Sequence, residues 1–447
     1  MPADPRLARL TRRPVRSLLC GAALGVLIGT AGCTPAPSPE NRPSTTTPSS
    51  SAPSTTAPSA GAGAVAECPE LPATVPPDEP ASGTFSAGAG GSAALERTDG
   101  GTSSVTGARV SKTGDAAASS GSSARTPAAG AAVLVAGGSR LALRQAAVDS
   151  AGAGATGLLS SGTGSLLQAT DTTVTSEGSG AAALAAADGG AVTGTNLTLS
   201  GSGENANAVT VSDGGGQVTL NRSTATAEAG PAVSPAGDVS VCAVAATSGT
   251  AEAAVVEGTH TLTSTRSTLA GATHGVRLVQ SSDGSEGASL TVSGGSLDAR
   301  NGQAVLIDGT AGTVAISEGA KLGAGSETLI LVTGGGAGTV TISGTGLDGN
   351  LAADPGSTMT LSLSSDSSVT GTLTNTGLAL DNTSTVSLRA DSTATTVAGA
   401  LLTGTAVTNI TGNGHTLAYD PAAAENAYLN GGTYDLAQGG QLVPSGG

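Results

Sequence analysis

Three histidines and one arginine hold most of the acid–base potential of this 447-residue chain. His260 stands in "EGTHTL", His274 in "GATHGV" with Arg277 close behind, and His415 in "GNGHTL". An imidazole beside a guanidinium could move a proton. His260, His274 and Arg277 are therefore the best polar cluster on offer, although each histidine sits in or beside a turn with no Ser or Cys nucleophile motif near it. Asp188 and Asp213 offer a second arrangement. They recur in Asp-Gly-Gly turns, and two carboxylates in reach of each other are what glycoside hydrolysis needs. Asp is equally an ordinary turn former, the reading preferred here. There is no GxSxG. "GGGAGTV" at 334–340 is not followed by the lysine of a phosphate loop, and "SDGGGQ" breaks the spacing of calcium-binding glycine-rich nonapeptides. No CxxC or grouped histidines point to a metal. These residues predict no catalytic centre, no metal and no cofactor.

Those side chains hang on elements with a marked period. Asp171, Asn196 and Asn221 recur at a constant step, and so do Gly164, Gly189 and Gly214. Between them the period is two: "GTVTIS", "QVTLN", "ASLTVS" and "STMTLS" alternate aliphatic with Ser or Thr, the signature of half-buried strands. Several short strands in a repeat of roughly 22 to 28 residues are too close for propeller blades and fit one coil of a parallel β-helix. Stacked coils bring equivalent residues directly above one another. The recurring Asp and Asn, with Asp188 and Asp213, are then a structural turn ladder, each turn satisfying the polar groups of the next. From about residue 93 to 411 there is room for roughly 13 coils.

Composition agrees with a thin, repetitive core. Aromatic residues make up 1% of the chain, with no Trp and one Phe, so burial must come from Ala, Val, Leu and Ile. The formal net charge is −15, and it becomes −19 once residues 1–32, with five Arg and Asp4, are set aside. Such a surface repels nucleic-acid backbones. Arg6, Arg9, Arg12, Arg13 and Arg16 precede the apolar run "LLCGAALGVLIGT", which is short for a permanent membrane span and suits an export signal. Residues 33–67 are crowded with Ser, Thr and Pro and read as an extended, disordered stalk. Outside the leader and Cys33, only Cys68 and Cys242 remain, as one disulfide or two free thiols. In "DVSVC" the valines share one face, so inward valines would leave the Cys242 sulfur reachable from outside.

"GTAGC" resembles the lipobox of bacterial lipoproteins, with Thr30 where Leu is usual, which implies a lipid on Cys33. "DGGTSSVTGARVSKTGD" (99–115) and "ITGNGHTLAYDPAAAENAYLNGGTYDLAQGGQLVP" (410–444) resemble the first coil and closing segment of bacterial exported right-handed parallel β-helix repeat proteins, in the style of pertactin-like autotransporter passengers. The resemblance implies a fold and surface display. No translocator barrel is expected beyond Gly447, and the lipid is expected to take its place. The expected order is signal peptide (1–32), stalk (33–67), lead-in (68–92), an all-β solenoid (93–411) and a cap (412–447) holding Tyr419, Tyr428 and Tyr434. The expected protein is a non-catalytic monomer, lipid-anchored outside the bacterial cell membrane. It would act in adhesion or structural display, and a surface glycan or matrix component is the partner. It meets the membrane only through its lipid. A carbohydrate-active lyase or hydrolase is the alternative. The outward Thr and Ser rows suit a polymer or ice surface, and they equally suit plain exposed strands.

Overall fold

The computed structural model describes residues 67–68, 70–71, 82–88, 92–116, 130–212 and 214–446. Cys33, Asp213, the expected leader and all but the last residue of the expected stalk lie outside them.

The described chain is a parallel β-solenoid of about 14 turns with almost no helix. Each coil contributes three short strands, as in Ala131–Val135, Arg140–Arg144 and Ala147–Ala151. Stacking makes three sheets. Sheet I starts at Thr102–Thr106 and runs through Arg140–Arg144 and Leu166–Thr170 toward Gln441–Pro444. Sheet II has ten strands, from Thr84–Ala87 to Lys321–Ala324. Sheet III has twelve, from Leu95–Arg97 to Leu373–Thr374. At about 4.8 Å per coil the stack is about 65 Å long. The first stacked strand, Thr84–Ala87, precedes the expected start at residue 93.

Period-two alternation sets which side chains enter the core. In sheet I, Leu141, Leu167, Val192, Val218, Val239, Leu262, Leu290, Val314, Val340, Leu361 and Leu378 are paired in register from one coil to the next. All are buried. Each such side chain contributes about 1.5–3 kcal/mol by leaving water, so a column of Val and Leu replaces the aromatic core this composition lacks. One hydrophobic cluster runs continuously from Leu95 to Leu442.

Corners between sheets I and II are tight. One residue per coil takes the left-handed conformation there: Gln145, Asp171, Asn196, Arg222, Ala243 and Arg266, with φ between +48° and +55°. Each of their N–H groups donates to a carbonyl of the next coil, at 2.8–3.1 Å. Asn196 Nδ2 donates to Asp171 Oδ1 at 2.6 Å, a side-chain rung in the same ladder. Asn221 does not continue it. It pairs with Thr195 as the last residue of a strand, buried, and Arg222 holds the corner instead. The step between the two coils is one residue longer, because Gly190 pairs with Gly216 rather than with Gly215. Asp188 lies at the corner between sheets III and I, with φ +51°, and accepts from Ser161 Oγ at 3.0 Å.

The parallel stack ends in antiparallel pairings, Leu402 with Val407 and Tyr434 with Leu442. A 3-10 helix, Ala424–Leu429, lies over strand Ser392–Ala398. Asn426 bridges them: its Oδ1 accepts from Val397 N at 2.7 Å and its Nδ2 donates to Thr395 O at 3.0 Å. Tyr419 is buried and donates to Gly432 O at 2.8 Å, while Tyr428 donates to Val397 O at 2.9 Å.

Candidate functional site

Histidines are placed by the corners. His274 precedes the sheet III strand Val276–Val279, whereas His260 follows the strand Ala254–Glu257, so the two sit at opposite ends of that sheet. The expected cluster of His260, His274 and Arg277 is therefore split: equivalent residues stack, and these two are not equivalent. Arg277 projects from its strand and pairs with Asp308 on the next coil. His274 Nδ1 accepts a long hydrogen bond from Gln303 N at 3.3 Å. Burial holds its imidazole below the ordinary value, against the pull of Glu252, and Arg277 lowers it further. His415 lies 3.8 Å from Asp391. Among the described residues, no group of three or more His, Cys, Asp or Glu is placed to hold a metal.

Several carboxylates work as turn locks. Ser384, Ser365 and Thr383 hydrogen-bond Asp381 and hold its carboxyl far below the usual carboxylate range. The hydroxyls of Ser357 and Thr333 lower Asp354 in the same way. A charged form stabilised by N–H and O–H donors is a poor proton donor at neutral pH.

Sheet I presents the most regular surface. Five successive coils stack Thr261, Ser289, Thr313, Thr339 and Thr360 in one outward column. Beside it stand Thr263, Thr291, Ala315, Thr341 and Ser362, then Thr265, Ser293, Ser317, Ser343 and Ser364. Fourteen of these fifteen positions carry a hydroxyl. They lie about 4.8 Å apart along the axis and about 7 Å apart along each strand. Alternation predicts such rows; their registration holds although the coils differ in length, because the strands pair residue for residue and the corners and other strands absorb the difference.

Toward the other end of the described rod the same face is altered by a strap. Cys68 is disulfide-bonded to Cys242, with Cα atoms 5.6 Å apart. Val239 and Val241 point inward, which leaves the Cys242 sulfur on the outer face. Arg266 Nη2 lies 3.3 Å from Cys68 Sγ. Further along the strap, Glu70 and Leu71 form one wall of a groove of about 250 Å3. Its floor and ends are Arg144, Gln168, Thr170, Thr193, Thr195 and Arg222. Sequence reasoning passed over this groove, because residues 67–71 carry no period and neither arginine lies in a motif. The disulfide option was its single foothold in the sequence.

Fold and surface together define a parallel β-solenoid with a hydroxyl-lined face and a strapped groove. No family model and no curated protein matches the chain.

Proposed function

We propose that this protein is exported, is held by a lipid on Cys33 outside a bacterial cell membrane, and acts there in adhesion or structural display. In this reading it is not a catalyst. It follows the style of the pertactin-like passengers its coils resemble, with sheet I lying along a surface glycan or matrix polymer. The observation that carries the reading is the hydroxyl lattice of sheet I across five coils. Threonine is stiff at χ1, so a Thr row loses little rotamer freedom when a ligand settles on it. Single hydroxyl contacts are weak, but a long polymer engages many at once, and each further contact is intramolecular. The arginine-rich leader, the apolar run and "GTAGC" support export and anchoring.

Co-sedimentation with a panel of insoluble polysaccharides and matrix polymers tests the face. The wild-type chain is expected to pellet with at least one of them. A triple variant, Thr263→Lys, Thr291→Lys and Thr341→Lys, is expected to stay in solution with an unchanged far-ultraviolet circular dichroism spectrum. Wild type that pellets with none, or a variant that pellets as well as wild type, removes the reading. Cys33→Ser checks the anchor and is expected to move the protein from the membrane fraction to the medium.

A further inference from the structure

The strapped groove differs from the rest of sheet I in charge. Arg144 and Arg222 both line it, and neither forms an ion pair with a carboxylate among the described residues. This is unusual in a chain with more than half again as many acidic as basic residues. The two arginines stand three coil steps apart, Arg144 pairing through Thr170 and Thr195 toward Asn221, the neighbour of Arg222. That places their backbones about 14 Å apart along the axis. Gln168, Thr170, Thr193 and Thr195 lie between them as neutral hydrogen-bonding groups. Glu70 faces them from the strap and offers an acceptor for ligand hydroxyls.

We propose that this groove binds a short acidic oligosaccharide, with two sugar carboxylates taken by Arg144 and Arg222 and the sugar hydroxyls between them by Gln168, Thr170, Thr193 and Thr195. The proposal rests on the glycan reading of sheet I and names the class of sugar its strapped end accepts. Guanidinium–carboxylate bonds are the strong, geometrically specific kind. The two arginines enter the groove three coils apart along the axis, which suits two single charges carried on separate rings. The rest of the protein's negative charge does not veto an acidic ligand, since at physiological salt its field is screened beyond about 8 Å. A neutral sugar would leave both guanidiniums without a counter-charge, so charge, not stacking on rings, sets the preference.

Calorimetric titration of the full-length chain with tri-galacturonate, and with its carboxyl-reduced galactose counterpart, tests the proposal. Tri-galacturonate is expected to bind at least about tenfold more tightly than the neutral trisaccharide, and to weaken as salt rises. Arg144→Gln and Arg222→Gln are each expected to weaken it by about tenfold, one lost charge-assisted contact apiece. Thermal midpoints equal to wild type in both variants show that the coils are intact. Equal affinity for the two trisaccharides overturns the proposal, as does no binding of the acidic one, or arginine variants that bind like wild type. The lattice variants separate this outcome from the broader reading. If polysaccharide pelleting is lost with the Thr→Lys changes yet the arginine variants are silent, the face binds glycan and the groove does not.

Discussion

At single residues, the stack is held by polar groups that point inward. Thr172, Ser223 and Ser267 follow the left-handed corner residue and are buried. Each hydroxyl accepts a backbone N–H from the coil before: Ala146 at 3.4 Å, Leu197 at 3.0 Å and Val244 at 3.0 Å. Each also donates to the carbonyl two residues back in its own coil, at 2.9, 2.8 and 3.0 Å. Coils with Thr or Ser at this position alternate with coils carrying Ala, Leu or Val there, so one hydroxyl serves two turns. Ser223→Ala leaves the Leu197 N–H and one bond of the Asn221 carbonyl unmade in a dry interior. It is expected to cost about 1–3 kcal/mol, read as a lowered midpoint in urea unfolding. The opposite sign is expected one coil on. Ala243 sits at φ +55°, a conformation that costs an ordinary L-residue about 1–2 kcal/mol and that Asn tolerates. Ala243→Asn should stabilise by about 1 kcal/mol in the same assay, and a loss of stability would show that the corner is not strained.

Elements inherit their pH behaviour from where the corners fall. His274 links three coils: its carbonyl accepts from Ala253 N at 3.2 Å, and its Nδ1 accepts from Gln303 N. A ring nitrogen that accepts must be unprotonated, so acid turns that acceptor into a donor facing a donor. Glu252, Arg277, Asp308 and Gln303 surround the ring, and burial outweighs the pull of the acids. The folded value therefore lies below the ordinary 6.5. Between the two, the unfolded chain binds more protons than the folded one, and stability falls as pH falls. The contribution is whole above about 6.5 and is lost as pH drops through the lowered folded value. Thermal midpoints are expected to decline from pH 7.5 toward 5, and His274→Gln is expected to flatten that window. The lowered carboxylates of Asp283, Asp354 and Asp381 act only below their ordinary 3.8, so they leave the upper window clear. Strands and stacking were legible in the sequence, because an inward Val and an outward Thr are different letters. The Asn221 register was not: one extra glycine shifts the corner to Arg222 without disturbing the alternation. Inward hydroxyls escaped as well, since Ser and Thr are spelled alike on both faces. His260 and His274 looked adjacent because a strand between two corners is invisible to spacing alone.

Across the whole molecule, the disulfide acts on one part of the rod. It closes a stretch with a sequence separation of 174 residues. Closing a loop of that size removes unfolded-chain entropy worth about 5 kcal/mol on the chain-entropy account. In a single cooperative globule, every residue would share that gain. A solenoid differs, because each coil touches only its neighbours and can open by itself. Coils between the strap and Cys242 must open inside the closed loop, and those beyond Cys242 open outside it. Reduction is therefore expected to act unevenly. In hydrogen exchange under native conditions, a thiol reductant should accelerate amides in strands from Ala131–Val135 to Gly216–Asn221. It should leave Val305–Asp308 through Thr358–Ser364 at their former rates. The Cys68→Ser variant should show the same split without any reductant. Equal acceleration along the whole rod would mean that the coils unfold as one unit. No acceleration anywhere would mean that the strap contributes nothing to the coils it crosses. Either result would leave nearest-neighbour stacking unable to account for this protein's stability.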